Sequence, residues 1–446
     1  MKKPLFLIIL VLAAVLTAAA QDDSGVLSVD ASVSMGAINP YVYGSNLNLY
    51  ATLPMSLLEE AQALGLNFMR FNGNTSGEDA NLRNSLIDMF VLQMGMIDAE
   101  PLLTVRLLNG TPEAAAEFVR YTNIERGYDV RYWSIGNEPS MFTEKPGVES
   151  FTTEDLNQQW RAIAEAMLAV DPDIIFVGPD ISQYVPLTVD GDNITYLPSQ
   201  LNHALDAEGR DWLVEFLRAN GDLIDYVAIH RYPYGGRNNS NPSRDQLRAN
   251  LPEWDLLLQN VRQIVNDVTG RDIPIAVTEF NSNSDNSVGG EATLESHFNA
   301  IWLGDILGRM INNGVAIATH WDFQGGSNRG WGLLGSYDVR PSAYTYMLYT
   351  HFGEELLSAN SSDPNVTIYA ARRADGALTL MVINLGETEV EKTVQIAGFA
   401  PAGDAEVWRF DEATEAEQIE PLAIADGTVI TLPPLSMTVY VIPAAN

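Results

Sequence analysis

Cysteine is absent from this chain of 446 residues. Without it the protein forms no disulfides, binds no metal through thiolates and has no cysteine nucleophile. The fold therefore has to be stabilised by packing, and with 46% hydrophobic and 19% charged residues the composition is that of an ordinary globular protein.

Basic residues are scarce as well. The chain has 25 Lys and Arg against 58 Asp and Glu, a formal net charge of −33. Such a charge repels nucleic acid and anionic membranes and disfavours a polyanionic substrate, so we expect no nucleic-acid partner. A neutral partner is the simplest interpretation, although solubility alone explains the charge equally well.

Long apolar runs are missing after the first twenty residues. "MKKPLFLIILVLAAVLTAAA" has a basic start, an apolar run from Leu5 to about Leu16, and small residues at Ala18 and Ala20. This pattern predicts a signal peptide over residues 1–20, cut after Ala20, and hence a protein secreted to the periplasm or the medium. The alternative, a membrane anchor, needs roughly 20 apolar residues, so we expect no membrane association after cleavage.

Eight short apolar runs alternate with segments of helical periodicity, which is typical of parallel strands joined by crossover helices. They are Tyr41–Asn48, Phe68–Asn74, Pro101–Leu108, Val130–Pro139, Ile174–Asp180, Asp225–Pro233, Ile273–Asn281 and Val315–Phe323. Eight such units predict an α/β fold, a closed (β/α)8 TIM barrel over residues 38–357. An open doubly wound sheet is the alternative, but its nucleotide-binding version needs a Gly-rich phosphate turn that we do not find.

The sequence pattern changes from helical periodicity to β-type runs after a predicted last helix from about Ser342 to Leu357. Two β-type runs meet at Asp375-Gly376, the strongest short hairpin signal in the chain, and similar runs continue to Ile442. Residues 358–446 are therefore predicted to form an antiparallel β-sandwich. The alternating segment Gly25–Gly36, within an N-terminal stretch of residues 21–37, is predicted to add a strand to that sandwich.

Polar residues follow the predicted barrel strands where each one ends, and in a barrel these ends meet on one face. They are Asn46, Arg70, Asn72, Asn137, Glu138, Asp180, His230, Tyr232, Glu279, Asn281, Trp321 and Asp322. Glu138 and Glu279 follow strands four and seven, nearly opposite each other. Glycoside cleavage with retention needs two carboxyl groups about 5–5.5 Å apart, which rigid strand ends can hold.

"WSIGNEP" on strand four and "VTEFN" on strand seven resemble the acid/base and nucleophile motifs of retaining glycoside hydrolases of clan A. The resemblance covers nearly the whole chain after the leader, including the β-sandwich that arabinofuranosidases, heparanase-like glucuronidases and several endoglucanases of this clan carry. Many members follow the strand-two Arg with Pro-Gly-Gly or similar, whereas this chain has "RFNGNTSG", so no single family's substrate is transferred.

The resemblance implies that Glu138 is the acid/base and Glu279 the nucleophile. It also implies that Asn137 binds the sugar 2-hydroxyl and that Arg70 keeps the nucleophile ionised. Tyr232 would touch the nucleophile, and Trp321 would form the aromatic floor under the cleaved sugar. No metal or organic cofactor is required.

Several of these residues have simpler interpretations. The alternative to a role in the site is a structural ion pair for Arg70, a place in the core for Trp321 and a hydrogen bond to backbone for His230. Asn46 and His230 are nevertheless predicted to contact substrate. The stretch Asp190–Asn193, "DGDN", resembles a calcium loop only faintly and is interpreted as a turn.

The sequence therefore predicts a secreted retaining glycosidase that attacks a plant-type polysaccharide, an endo-β-glycanase on β-glucan, xylan or xyloglucan. An exo-acting α-L-arabinofuranosidase or β-glucuronidase on the same scaffold is the near alternative. A carbohydrate-binding protein without turnover is the alternative from another class, and the presence of both glutamates argues against it.

Overall fold

The computed structural model of the protein describes residues 25–73, 78, 82–235, 241–326 and 330–445. The predicted signal peptide, residues 1–20, lies outside the described residues. Within those residues, no helix has both the length and the apolar character that crossing a bilayer requires.

Strands and helices are numbered here in chain order. The strands are β1 (Val26–Ala37), β2 (Gly44–Leu47), β3 (Phe68–Phe71), β4 (Glu100–Val105), β5 (Tyr132–Ile135), β6 (Ile175–Ser182), β7 (Pro186–Asp190), β8 (Asn193–Tyr196), β9 (Tyr226–Arg231), β10 (Ile275–Phe280), β11 (Ile317–His320), β12 (Glu355–Ser361), β13 (Val366–Arg372), β14 (Leu378–Asn384), β15 (Val390–Ala397), β16 (Ala405–Phe410), β17 (Glu415–Leu422), β18 (Thr428–Leu432) and β19 (Ser436–Ile442). The α-helices are α1 (Leu58–Ala63), α2 (Asn84–Ile97), α3 (Pro112–Val119), α4 (Thr153–Leu168), α5 (Leu201–Ala204), α6 (Trp212–Asn220), α7 (Arg244–Thr269), α8 (His297–Asn312) and α9 (Pro341–Tyr349).

Eight parallel strands close into a barrel in the order β10-β11-β2-β3-β4-β5-β6-β9. Each of the eight predicted runs overlaps one of these strands, so the predicted TIM barrel is confirmed. The crossover helices begin at the capping residues that the sequence offers. Thr111 accepts a hydrogen bond from the Ala114 amide, and Thr152 forms a reciprocal capping box with Asp155.

A hairpin interrupts the alternation between the fifth and sixth barrel strands. β7 and β8 pair antiparallel, with Asp190 opposite Asn193, so the "DGDN" stretch is the turn of this hairpin. Gly191 in this turn has a φ of +56°. The sequence analysis read this segment as a turn but did not identify the two flanking strands.

The C-terminal region forms a nine-stranded sheet in the order β17-β16-β19-β14-β13-β12-β1-β15-β18. It folds over an apolar core to which both halves contribute, including Leu27, Ile368, Ile396, Ile430 and Tyr440. The predicted β-sandwich is therefore present. It is mostly rather than wholly antiparallel, because β1 pairs parallel with β15 and antiparallel with β12.

The last barrel helix is shorter than the sequence analysis predicted. It ends at Tyr349 instead of Leu357, and β12 begins at Glu355. Leu356 pairs with Gly36 of β1 and with Ala371 of β13. Glu and Leu are good helix formers, but pairing with two neighbouring strands outweighs that local preference here.

The sandwich strands β13, β14 and β19 are buried on both faces. Along β13, Ile368 and Ala370 point into the sandwich core, while Tyr369 and Ala371 belong to the larger core shared with the barrel helices. This explains why every residue of β14 and β19 is buried. The sandwich and the barrel thus share one continuous hydrophobic contact.

Two glycines on α8 allow this close approach. A Cβ at Gly304 would lie 2.2 Å from Met437 Sδ of β19, and one at Gly308 would lie 2.2 Å from Tyr369 Cε2 of β13. Beside them, the Tyr369 hydroxyl donates a hydrogen bond to Asp305 Oδ1 at 2.7 Å. Glycine is needed here for space rather than for backbone freedom.

Inside the barrel, the lower layer is apolar. It is filled by Phe68, Leu102, Tyr132, Val177, Ala228, Ala276 and Ile317. The layer above it, toward the carboxyl ends of the strands, is polar. The change from apolar to polar marks the floor of a site at the end of the barrel where TIM-barrel chemistry is found.

Gly308→Ala should destabilise the protein by about 1–3 kcal/mol, because the added methyl group overpacks the contact with Tyr369. The matched control is Gly95→Ala on α2, where an added Cβ meets nothing within 4 Å. That change should stabilise by about 0.5–1 kcal/mol through helix propensity. Urea unfolding of both variants measures the difference, and equal effects would show that the α8 contact is looser than described.

Candidate active site

Glu138 and Glu279 face each other across the polar end of the barrel. Among the described residues, Glu138, His230 and Glu279 form the one cluster of three Asp, Glu, His or Cys side chains with ligand-type atoms all within 4.8 Å of one another. The two carboxyl groups, 141 positions apart in sequence, are therefore neighbours in space. Both carboxylates can therefore reach one bond of a bound molecule.

A β-bulge turns Glu279 into the barrel. Val277 pairs with Ile229, but Glu279 rather than Thr278 pairs with His230, so β10 carries one extra residue at this point. Thr278 and Glu279 consequently both point inward, although they are consecutive. Bulges of this kind redirect a side chain next to a site.

Glu138 reaches the same space through an unusual backbone conformation. It follows β5 with φ 51° and ψ 55°, the left-handed region, and Pro139 then opens a short 3-10 turn. Glutamate rarely adopts this conformation, and residues held there cost of order 1–3 kcal/mol and cluster at functional sites. The backbone N–H of the neighbouring Asn137 donates a hydrogen bond to Glu78 Oε1 at 2.8 Å, which fixes this part of the chain.

The guanidinium of Arg70 lies at the centre of the polar layer and is fully buried. Its Nη2 donates to Asn137 Oδ1 at 2.8 Å and to Asp180 Oδ2 at 3.0 Å. Its Nη1 donates to Asn46 Oδ1 at 3.2 Å and to Glu279 Oε2 at 3.4 Å. One cation therefore connects residues at the ends of five barrel strands.

Two further groups contact the carboxylates. The Tyr232 hydroxyl donates to Glu279 Oε1 at 2.5 Å. His230 Nδ1 lies 3.1 Å from Glu138 Oε1 and 3.8 Å from Glu279 Oε2, and its Nε2 lies 3.6 Å from Asp180 Oδ1. The imidazole thus stands between three carboxylates.

The charges of this cluster shift several pKa values. Burial raises the pKa of Glu279 to about 7, despite the opposing effects of His230, Arg70 and Tyr232. Burial acts in the same direction on Glu138, but the hydrogen bond and charge of His230 lower the pKa of Glu138 below its usual value. Burial disfavours the imidazolium, yet Glu279, Asp180 and Glu138 raise the pKa of His230 to about 9.

Glu138 and Glu279 therefore titrate as a pair, and because the pKa of Glu279 is raised to about 7, the pair holds a proton below that pH. The contact between His230 and Glu138, on which the lowered pKa of Glu138 depends, was not predicted from the sequence.

Two cavities adjoin the pair and share part of one wall. One, of 560 Å³, is lined by both carboxylates together with Tyr232, Trp321 and Trp331. The other, of 370 Å³, is lined by Glu138 but not by Glu279. Glu138 thus borders both cavities, and the pair lies at their junction.

The six residues predicted to bind substrate divide into two groups. Asn137, Tyr232 and Trp321 line the cavity, whereas Arg70, Asn46 and His230 lie fully buried beneath it. Asn46 Nδ2 donates to the carbonyl oxygens of Thr278 and Thr319, both at 3.0 Å, and its Oδ1 accepts from Arg70. Its amide is fully used in holding neighbouring strands together, so substrate contact by Asn46 does not fit its position.

Other cavity residues were missed in the sequence analysis. Trp331 presents a half-buried ring, and Gln200 and His203 come from the segment that follows the β7–β8 hairpin. Asp180 lies in the buried layer and was noted only as a strand-end residue. Nothing in the sequence indicated that the hairpin insertion reaches the cavity.

A cation does not suit the cluster of Glu138, His230 and Glu279. Arg70 already places a positive charge 3.4 Å from Glu279 Oε2, and the raised pKa of His230 keeps that ring protonated at neutral pH. A protonated imidazole is not a metal ligand. We therefore assign these residues no metal.

No model of a known protein family matches the chain. Mouse (Mus musculus) heparanase is 25% identical over 285 residues, a match that covers 58% of this chain and 46% of the heparanase. The chain thus spans about half the length of the curated relative that it matches.

Solved structures of glycoside hydrolases resemble the whole described fold. CelM2, a bifunctional glucanase-xylanase from a metagenome library, has a TM-score of 0.72 at 21% identity over 94% of this chain and 99% of its own. A Paenibacillus polymyxa xyloglucanase of glycoside hydrolase family 44 has a TM-score of 0.71 at 17% identity, with the same coverages. A Thermotoga maritima α-L-arabinofuranosidase has a TM-score of 0.70 at 17% identity over 93% and 99%. The chain therefore has the barrel-and-sandwich fold that these enzymes share.

Arg70→Met should destabilise the protein by about 3–5 kcal/mol, because Asp180 would be left as a buried charge without its partner. The control is Arg120→Met, which removes an ion pair whose side chains are 48% and 64% exposed. Exposed pairs contribute about 0–1 kcal/mol, so that variant should unfold almost like the wild type. Urea denaturation compares the two, and similar midpoints would contradict the central place given to Arg70.

Proposed function

We propose that the protein is a secreted retaining glycoside hydrolase that cleaves internal bonds of a plant-type polysaccharide, an endo-β-glycanase on β-glucan, xylan or xyloglucan. The observation that carries the proposal is the pairing of Glu138 and Glu279, with oxygen atoms within 4.8 Å at the mouth of a barrel. Buried carboxylates repel each other, so such a pair is retained where its chemistry is used.

The short separation favours retention of configuration. Retaining enzymes hold their carboxyl groups about 5–5.5 Å apart, whereas inverting enzymes leave about 6.5–9.5 Å for a water molecule between carboxylate and sugar. An oxygen of Glu138 within 4.8 Å of an oxygen of Glu279 supports the shorter, retaining separation. A covalent glycosyl-enzyme intermediate is the route that fits this geometry.

The surroundings of the two glutamates support different roles. Tyr232 and Arg70 donate hydrogen bonds to Glu279, and His230 Nδ1 lies 3.8 Å from Glu279 Oε2, which stabilises a carboxylate in the position of the nucleophile. Glu138 borders both cavities, so it can reach an oxygen that links a sugar in one cavity to a sugar in the other. That is the place of the acid/base.

The reaction then proceeds in two displacements. Glu138 gives its proton to the glycosidic oxygen as Glu279 attacks the anomeric carbon, and the leaving sugar departs. Water deprotonated by Glu138 next attacks the same carbon and releases Glu279. The acid role requires the proton of the pair to lie on Glu138 when substrate is bound.

Two cavity residues suit the sugar bound next to the nucleophile. Arg70 holds Asn137 Oδ1, which leaves the Asn137 amide NH2 as a donor for a sugar hydroxyl. Trp321 is half-buried in the cavity wall and offers a flat apolar face to sugar C–H groups. These are the contacts that we propose for the subsite where cleavage occurs.

Cavities on both sides of Glu138, of 560 and 370 Å³, favour attack within a chain, because sugars need room on either side of the cleaved bond. Exo action as an α-L-arabinofuranosidase or β-glucuronidase is the second candidate. The structural similarity to an arabinofuranosidase favours it. Glycan digestion separates the two, because endo cleavage lowers viscosity long before monosaccharide accumulates.

Secretion is proposed from the leader alone. Its basic start, apolar run and small residues before Gln21 are typical of exported proteins. The mass of the protein recovered from the culture medium would identify the cleavage point.

Glu279→Gln should lower kcat by several orders of magnitude with little change in stability, because the covalent route is lost while the shape of the side chain is kept. The matched control is Glu420→Gln on the exposed face of β17, far from the site. Reducing-sugar release from barley β-glucan, xylan and xyloglucan measures both. Near-full activity of Glu279→Gln would place the nucleophile elsewhere.

Glu138→Ala should still form the intermediate from a dinitrophenyl glycoside, whose leaving group needs no proton, but should break it down slowly. Azide, which needs no general base, should restore turnover and give a β-glycosyl azide from a β-glycoside. Glu279→Ala should give the azide of inverted configuration instead. Proton NMR distinguishes the anomers, and swapped outcomes would reverse the two roles.

A further inference from the structure

Asp180 is a buried carboxylate to which the proposed mechanism has given no role. It follows a bulge in β6, where Pro179 pairs with Ala228 and Ile181 with Ile229, and its own φ is 58°. The bulge turns Asp180 into the barrel rather than toward the helices. A non-glycine residue in this conformation is a local cost that the surrounding contacts have to offset.

Asp180 contacts both cations of the site. Its Oδ2 accepts from Arg70 Nη2 at 3.0 Å, and its Oδ1 lies 3.6 Å from His230 Nε2. Oδ1 also accepts a short hydrogen bond from the Thr278 hydroxyl. Asp180 is 1% exposed and does not line either cavity beside the catalytic pair, so it acts through these neighbours and not on substrate.

The charges in the buried cluster balance in only one way. Arg70 is positive and Asp180 negative, and the two cancel. His230 is a second positive charge, which one ionised carboxylate of the Glu138 and Glu279 pair compensates. A second ionised glutamate would leave an uncompensated buried charge, which is costly, so the other glutamate keeps its proton.

Other titratable groups lie near the cluster and outside this count, among them the buried Glu78, which accepts from the Asn137 backbone N–H and whose pKa burial raises to about 7. Tyr232 donates its proton to Glu279 and stays neutral, because burial raises its pKa well above the usual value. Burial lowers the pKa of His320, behind β11, to about 3, so that ring is neutral. The charge of Asp322 contributes to the raised pKa of Tyr232. Glu144 and His203 line the cavity.

We propose that Asp180, through its contacts with Arg70 and His230, sets the number of protons on the Glu138 and Glu279 pair at one. This inference rests on the proposed glycosidase function and makes Asp180 a positioning residue. One proton on two carboxylates is what double displacement requires, with an ionised nucleophile and a protonated acid at the same pH. Without the Asp180 charge, the positive charge of Arg70 would compensate a second ionised glutamate. Glu138 would then no longer be protonated and could not act as the general acid.

The sign of the effect follows from removing a negative charge. In Asp180→Asn the imidazolium of His230 loses a stabilising neighbour, so its pKa falls from about 9. The glutamate pair loses a repelling neighbour, so the pKa at which it gives up its shared proton falls as well. Each should fall by about 1–2 pH units, the effect of one charge within about 6 Å.

Two measurements test this. The imidazole signals of the five histidines are followed by NMR from pH 5 to 10, with His230 assigned through His230→Asn. The dependence of kcat/KM on pH is measured on barley β-glucan, xylan or xyloglucan, whichever the wild type cleaves. We expect the His230 titration and the alkaline limb of the activity profile to move together to lower pH in Asp180→Asn.

The matched control is Thr278→Val, which removes a hydrogen bond to Asp180 but no charge, and which should leave both pH values in place. An unchanged His230 titration, or an unchanged alkaline limb, in Asp180→Asn overturns the proposal. Should Asp180→Asn fail to fold, a wild-type His230 that titrates at or below pH about 6.5, its ordinary pKa, also overturns it. If the wild type cleaves none of these glycans, the proposed function fails separately, and the inference stands or falls on the His230 titration.

Discussion

The buried guanidinium of Arg70 is the interaction on which the polar end of the barrel depends. Arg70 lies on β3 and is bonded to residues that follow or belong to four other barrel strands, and its partners include both an amide that lines the cavity and the Glu279 carboxylate. A planar cation with several donors in fixed directions can hold such partners at once, which lysine cannot. The positions of Asn137, Asp180 and Glu279 relative to one another are therefore set by one side chain.

Much of the fold could be predicted from sequence because the hydrophobic periodicity and the length of each segment are local properties of the sequence. The eight barrel runs and the Asp375-Gly376 hairpin are found where the pattern indicated. The end of α9 was missed because the Glu and Leu residues after it favour helix by themselves. Their strand conformation depends on β1, more than 300 residues away, which no local pattern reports.

The candidate site was predicted only in part, and for a related reason. Position at a strand end indicates which face of the barrel a residue lies on but not how deep it lies, so Asn46 and Trp321 looked alike in sequence. Strict alternation along β10 would direct either Thr278 or Glu279 inward, but the bulge directs both. The contacts of Glu279 with Arg70 and Tyr232 depend on that local irregularity.

The arrangement of β1 also has a consequence for the order in which the chain can fold. Leu27 pairs with Ser361 and Val394, so the first described strand lies between two strands that are made when most of the chain already exists. The barrel strands pair chiefly with near neighbours in sequence, whereas β1 has no partner until β12 and β15 have been synthesised. During synthesis β1 therefore stays without a pairing strand until more than 300 further residues have been added. Completion of the sandwich therefore has to wait for β12 and β15, which follow the last barrel strand in sequence.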